Sequence, residues 1–242
     1  MLRMISLTLV VCATLPAENF VRPFSAGGTL SLLPIGPFAA KEVHQIYSPL
    51  IENNATGENK SRFYGGGVTF QAAFAKRYAI SGNVTLRSVG YRLNIVGLIG
   101  IDRTLTDPNA TDNRTGYTTT EETRARYWDV PILLRRFSRN HNEGGWRWFA
   151  EAGPTFRRVS NIRTSIQIDA NSKVTCCDET PATPSHTTIP GITLGGGLHL
   201  IDDYGIRMIP EFRYTRWLAR TFDNLAAPSR RDQIELLLSF TF

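Results

Sequence analysis

The last ten residues of the chain, Gln233–Phe242, alternate strictly between two kinds of side chain. Every second residue counted back from the C-terminus is apolar, which gives the row Phe242, Phe240, Leu238, Leu236 and Ile234. The residues between them are mostly polar. Alternation with a period of two predicts a β-strand with one apolar and one polar face. About ten residues is also the length that a tilted strand needs to cross the core of a bilayer.

Earlier segments repeat this pattern and divide the chain into eight predicted strands. The first seven cover residues 26–34, 62–75, 78–95, 124–137, 146–160, 188–201 and 206–216. Their connections alternate between long and short, and the long ones are residues 35–61, 98–122, 165–186 and 218–231. A transmembrane barrel sorts its connections in this way because its short turns all lie on the periplasmic side. A β-sandwich has no reason to do so.

The predicted fold is therefore all-β: an eight-stranded antiparallel up-and-down transmembrane β-barrel with short periplasmic turns and long outer loops. Two strands carry irregularities. In the third strand the apolar side chains move from even to odd positions after Leu86, which predicts a β-bulge near Ser88–Gly90. Pro131 interrupts the fourth strand, and because proline lacks the N–H of the ladder, a second bulge is expected there.

Composition narrows the class of protein. The chain of 242 residues suits one domain, and no run of eighteen apolar residues predicts a transmembrane helix. The net charge of +6 comes from arginines scattered over the strands rather than clustered, which argues against nucleic acid binding. The cysteines, Cys12 and the adjacent pair Cys176 and Cys177, have no metal-ligand spacing, so we expect no metal site and no cofactor.

Residues 1–17 have the pattern of a secretory signal peptide. Arg3 precedes a short apolar run, and the small residues after it predict cleavage after Ala17. The expected organisation is a signal peptide over residues 1–17 and a barrel domain over residues 18–242.

Three segments carry a resemblance to a known group of proteins: Trp128–Leu134, Ala150–Phe156 and Pro210–Thr215, together with the final Phe242. With them the chain resembles the bacterial outer-membrane β-barrel superfamily of OmpA-type and porin-like domains, over roughly residues 20–242. The resemblance implies location in the bacterial outer membrane, with the lipid bilayer as surroundings. It also implies insertion by the barrel-assembly machinery, whose signal would be Phe242, Phe240 and Leu238.

Charged residues recur on the polar faces of the predicted strands. The candidate lumen residues are Arg87, Asp129, Arg135, Arg147, Glu151, Arg207, Glu211, Arg213 and Glu235, with Arg92 considered near them. Because charges in a narrow lumen must pair or remain hydrated, we expect arginine–carboxylate bridges that close the barrel to most solutes. The alternative is a narrow, gated pore.

Aromatic residues gather at the predicted strand ends, as in the girdles at the two interfaces of a membrane barrel. The expected inner girdle is Tyr78, Trp146, Trp148, Tyr204 and Phe242. The expected outer girdle is Tyr64, Tyr127, Tyr214 and Trp217.

No catalytic constellation emerges from the sequence. The four histidines are scattered, and the segment Phe212–Leu218, where a lipid A deacylase carries its His and Ser, has neither. We therefore expect a non-enzyme with a structural or interaction role, whose outer loops contact lipopolysaccharide or host surface ligands. A narrow passive porin-like channel is the alternative function, and a soluble secreted ligand-binding barrel is a third hypothesis.

Overall fold

The structure is a computed structural model that describes residues 23–48, 51–100, 114–140, 145–170, 173–178, 181–202 and 204–242. The predicted signal peptide lies outside these residues. The described residues form eleven β-strands: β1 (Phe24–Leu32), β2 (Glu42–Ser48), β3 (Ile51–Asn59), β4 (Tyr64–Ala75), β5 (Tyr78–Ile99), β6 (Thr115–Phe137), β7 (Gly145–Ala170), β8 (Lys173–Asp178), β9 (Thr188–Ile201), β10 (Arg207–Trp217) and β11 (Asp232–Thr241). No helix in these ranges has the length and apolar character needed to cross a bilayer.

Eight of these strands close into a ring. The order is β1, β4, β5, β6, β7, β9, β10 and β11, every neighbouring pair is antiparallel, and β11 pairs with β1. Followed once round the ring, the strand registers are displaced by about ten residues, the shear that accompanies strongly tilted strands. The predicted eight-stranded up-and-down barrel is confirmed.

The ring is apolar outside and polar inside. Along β11, for example, Leu236 and Phe240 are exposed on the outer surface, whereas Glu235 and Ser239 are buried in the lumen. The same alternation holds for the other ring strands. We call the exposed apolar side chains of the ring the apolar belt; its members include Leu30, Val68, Phe70, Ile80, Ile132, Leu134, Phe156, Ile192, Leu194, Phe212, Leu236 and Phe240.

Much of what was expected to be long loop is strand. At the outer end of the barrel, defined as the end with the long connections, β5, β6 and β7 continue beyond the ring. There β2 and β3 form a hairpin that pairs with the outer half of β5, and β8 pairs with β7. The predicted loops over residues 35–61, 98–122 and 165–186 are wrong to this extent. Threonine-rich segments favour strand, and their backbone groups find partners in the extended sheet.

The bulge predicted near Ser88–Gly90 is wrong. β5 keeps one register with β6 from Tyr78, opposite Arg136, to Ile99, opposite Thr115. The odd-numbered residues of β5 from Ser81 to Leu93 face inward. They are polar up to Arg87 and apolar from Val89 on, because the outer part of the lumen is filled by an apolar cluster.

The bulge predicted at Pro131 is also wrong. The register is the same on both sides of Pro131, and the ladder to β5 lacks two residue pairs there instead of gaining a residue. The bulge between β6 and β7 lies further out, opposite Arg124 and Arg126, where Asn161 adopts a positive φ of 51°. Asparagine is one of the few non-glycine residues that tolerate this conformation.

The described residues form two apolar clusters inside the barrel. The outer plug fills the outer mouth and consists of Phe38, Val89, Tyr91, Leu93, Ala125, Tyr127, Val159, Phe222, Ala226 and Ala227. Four of these residues belong to the connections around β1 and β11, which fold into the mouth. The inner plug lies towards the short turns and consists of Ala79, Phe137, Phe149 and Ile209. The polar lumen is held between these two plugs.

Candidate functional site in the barrel lumen

Eight charged side chains lie between the two plugs and form what we call the lumen network. Its members among the described residues are Arg87, Asp129, Arg135, Glu151, Arg157, Glu211, Arg213 and Glu235, all of them buried. Four guanidinium groups therefore face four carboxylates, and the formal charges cancel. Buried ions are tolerated when such pairing and hydrogen bonding offset their desolvation.

The inner half of the lumen network is a closed quartet. Arg135 donates to Glu151 Oε2 from Nε (3.1 Å) and Nη2 (2.8 Å), and its Nη2 lies 2.5 Å from Glu211 Oε1. Arg213 completes the quartet, because its Nε lies 2.7 Å from Glu151 Oε1 and its Nη2 lies 2.6 Å from Glu211 Oε2. Each arginine thus bridges both glutamates, which fixes four side chains from three strands.

The outer half is built around Asp129. Arg157 binds this carboxylate in a bidentate fashion, with Nε at 2.7 Å and Nη2 at 2.8 Å. The Arg157 guanidinium lies 4.3 Å from the ring centroid of Tyr127 and 4.0 Å from that of Trp217. Cation–π contacts of this kind hold a desolvated guanidinium in a fixed plane.

Arg87 links the outer half to β1 and β11. Its Nη2 lies 2.5 Å from Glu235 Oε1 and 2.6 Å from Ser31 Oγ, and its Nη1 lies 3.7 Å from Asp129 Oδ2. Ser31 in turn donates to Glu235. The carboxylates of β6 and β11 therefore share one arginine of β5.

Small residues on the inward face make room for these side chains. A Cβ on Gly195 would lie 3.0 Å from Arg213 Cγ and 3.1 Å from Glu151 Oε1, so only glycine leaves space for this pair. A row of hydrogen-bonded hydroxyl groups, Thr155 to Thr193 to Thr215, spans three neighbouring strands. The sequence alternation of glycine and threonine with charged residues is thus what accommodates the lumen network.

The structure brings seven of the nine sequence-predicted lumen residues into direct contact. The other two, Arg147 and Arg207, are also inward and buried, and lie beyond the inner plug towards the short turns. Arg147 donates to the backbone oxygen of Asn140 at 2.9 Å, and its guanidinium lies 4.4 Å from the ring centroid of Phe137. The residues of the predicted assembly signal, Phe242, Phe240 and Leu238, all follow the outward phase of β11.

Sequence reasoning missed Arg157. The residue is in phase with Arg147 and Glu151 on β7, so the period-two pattern alone places it inside the barrel.

The expectation for Arg92 is wrong. It lies half-exposed in the sheet beyond the ring, where its Nη2 donates to Glu122 Oε2 at 2.9 Å. The hydrogen bonds from Arg92 and then from Arg124 hold the pKa of Glu122 below its ordinary value.

The expected outer girdle is wrong for two of its four residues. Tyr127 and Trp217 face the lumen and are fully buried, because they share the inward phase with Asp129 and Arg213. Tyr64 and Tyr214 are exposed on the outer surface. All five aromatic residues of the expected inner girdle are exposed: Tyr78, Trp146, Trp148, Tyr204 and Phe242.

The lumen is filled at the level of the lumen network. The residual cavity there, between Asp129, Arg213 and Glu235, has a volume of about 10 Å³. A single water molecule needs about 10–15 Å³. At this level, the side chains that the structure describes therefore fill the cross-section of the barrel.

The comparisons with known proteins find similarity in structure alone. No family model matches the chain, and no curated protein matches it in sequence. The chain is similar to Ail, the attachment invasion locus protein of Yersinia pestis, with 8% identity over 90% of this chain and 96% of Ail, and a TM-score of 0.35. Ail in complex with the heparin analogue sucrose octasulfate matches with 9% identity over the same shares and a TM-score of 0.36.

Proposed function

We propose that the chain is a bacterial outer-membrane β-barrel protein with a structural or interaction role, in which a filled lumen makes the barrel a rigid anchor for its outer segments. The observation that carries this proposal is the pairing of all eight charges of the lumen network between two apolar plugs. Insertion by the barrel-assembly machinery and contact of the outer segments with lipopolysaccharide or host ligands belong to the same proposal.

The apolar belt supports the membrane location. Leu194, in the middle of β9, exposes 55% of its surface, and Val68 on β4 exposes 61%. Soluble monomers rarely expose a contiguous apolar patch larger than a few hundred Å². A belt that continues round the whole ring instead matches the lipid-facing surface of a membrane barrel.

A pair of leucine substitutions tests the membrane location. In protein refolded into phospholipid vesicles, Leu194→Arg should lower the free energy of unfolding by about 2–4 kcal/mol, because an arginine would lie near the bilayer midplane. Leu225→Arg is the matched control, since Leu225 is 57% exposed but lies in the connection between β10 and β11. We expect its effect to stay within about 0.5 kcal/mol. Two equally small effects would contradict the membrane location and favour a soluble barrel.

Planar-bilayer recording tests the closed lumen. The purified protein should insert without a steady conductance, because the lumen network fills the cross-section of the barrel. Heat-modifiable migration of the same sample on gels establishes that the barrel is folded. A steady, ion-selective conductance that disappears in Glu151→Gln would overturn the anchor proposal and establish the alternative, a narrow passive channel.

A further inference from the structure

A basic cleft opens at the outer rim of the barrel, beside the outer ends of β10 and β11. It has a volume of about 540 Å³ and lies between the connection that follows β1 and the connection that precedes β11. Among the described residues, five basic side chains and one acidic side chain line it: Lys41, Arg216, Arg220, Arg230, Arg231 and Asp232. This excess of positive charge is concentrated directly above the apolar belt.

The acidic groups nearby are already engaged. Arg216 Nη1 lies 2.6 Å and 2.5 Å from the two carboxylate oxygens of Asp232, and the hydroxyl group of Tyr214 also donates to Asp232. Arg220 pairs with Asp223 at 2.6 Å. Three further cations then remain in the cleft, since Lys41, Arg230 and Arg231 form no ion pair with any residue that the structure describes.

These three cations are carried on an ordered backbone. The Lys41 N–H donates to the backbone oxygen of Ala226 at 2.9 Å, and the Arg230 N–H donates to that of Pro37 at 2.7 Å. The backbone oxygen of Arg231 accepts from the N–H of Trp217, also at 2.7 Å. Phe38 lies in the outer plug beneath them. The plug therefore holds the two connections together, which fixes the backbone positions from which the three cations extend.

The wall of the cleft that adjoins the apolar belt is apolar. Ile35, Tyr214 and Ile234 line it, and Tyr214 and Ile234 follow the outward phase of their strands, so this wall runs into the apolar belt. The cleft thus presents cations on the side away from the belt and an apolar surface on the belt side. A lipid with an anionic headgroup has the complementary arrangement.

We propose that this cleft binds the phosphorylated headgroup of an outer-leaflet lipid. The phosphate lies against Lys41, Arg230 and Arg231, and an acyl chain lies along Ile234 on the apolar belt. Phosphate oxygens suit guanidinium and ammonium donors, and a phosphomonoester carries enough charge to engage all three cations. This proposal rests on the proposed membrane location, since the apolar wall is only useful beside a bilayer.

Native mass spectrometry of the full chain released from detergent micelles tests the proposal. The probes are short-chain phosphatidic acid, phosphatidylcholine of the same chain length, and inorganic phosphate. The variant is Lys41→Gln/Arg230→Gln/Arg231→Gln. Each basic residue near an anionic lipid contributes roughly fivefold to binding, so the triple variant should bind phosphatidic acid about 100-fold more weakly than the wild type.

The matched control removes the same charge elsewhere, in Arg62→Gln/Arg126→Gln/Arg158→Gln, where Arg62 lies just before β4 and the other two lie on β6 and β7. These three side chains are exposed as well. We expect this control to bind phosphatidic acid like the wild type, and phosphatidylcholine to bind weakly to all proteins. Equal losses in both triple variants, or no loss in either, would overturn the site. The single variant Arg231→Gln, expected to lose about fivefold, replaces the triple variant if that one does not fold.

Two further outcomes separate the sources of phosphate and the two proposals. Inorganic phosphate that binds as tightly as phosphatidic acid would overturn the lipid assignment, because the apolar wall would then contribute nothing. A chain that needs no detergent and yet binds phosphatidic acid through the three cations would refute the membrane location while supporting the cleft.

Discussion

Removing the charge of Glu151 is the most informative perturbation of the lumen network. The Glu151 side chain is fully buried and accepts hydrogen bonds from both arginines of the inner quartet, at 2.7–3.1 Å. In Glu151→Gln one oxygen remains and can accept from one guanidinium. The new amide NH₂ group then faces N–H donors of the other guanidinium, and the network carries one uncompensated positive charge.

The expected magnitude follows from this geometry. A hydrogen bond to a charged group contributes about 1.5–3 kcal/mol, and the substitution disrupts those to at least one arginine. Breaking a buried ion pair by removing one partner typically costs about 3–5 kcal/mol, because an unpaired charge remains buried. We therefore expect Glu151→Gln to lower the free energy of unfolding by about 3–5 kcal/mol.

Urea unfolding in lipid vesicles, followed by tryptophan fluorescence, measures this loss. The matched control is Glu122→Gln, since Glu122 also has two arginine partners, Arg92 at 2.9 Å and Arg124 at 2.6 Å. These arginines are partly exposed to solvent, so this substitution should cost no more than about 1 kcal/mol. If both variants lose the same small amount, the lumen charges are hydrated rather than paired, and the closed-lumen argument is refuted.

Two further predictions concern the outer end of the barrel. Phe38→Ala removes a buried ring packed on Tyr91 and Phe222 and should destabilise the outer plug by about 3–5 kcal/mol. Trypsin should then cleave the 218–231 connection faster, while heat-modifiable migration of the barrel persists. Unchanged cleavage would contradict the plug. The lowered pKa of Glu122 means that the stability contributed by this carboxylate is present above its ordinary pKa of 4.5 and is lost as the pH falls through the lowered value. A carbon-13 NMR titration should place its pKa below 4.5 and show a rise towards 4.5 in Arg92→Gln; identical curves for the two proteins would exclude Arg92 as the cause.

Period-two alternation made the ring and the sidedness of its strands predictable. The rule that places Leu236 outside and Glu235 inside operates within a single strand, because successive side chains point to opposite faces of a sheet. It also identified the inward carboxylates of β6, β7, β10 and β11. Arg157 follows the same rule and was available from the sequence.

Contacts between distant residues were not predictable. Arg87 meets Glu235 across 148 positions of the chain, and such a partner depends on the register of every strand between β5 and β11. The outer plug is a second case. An apolar side chain such as Tyr91 satisfies the pattern equally well against lipid or inside a closed mouth, because both surroundings are apolar.

By itself, the sequence determined how many strands form the ring, which side chains face outward, and that both arginines and carboxylates lie on the inward faces. Only the tertiary structure decided that the outer connections fold inward as a plug, which arginine meets which carboxylate, and that three cations gather beside the apolar belt at one rim. The physical reason is that alternation is a local property of the backbone. The arginine–carboxylate pairs and the outer plug, in contrast, depend on closure of the ring, which brings residues from opposite ends of the chain into contact.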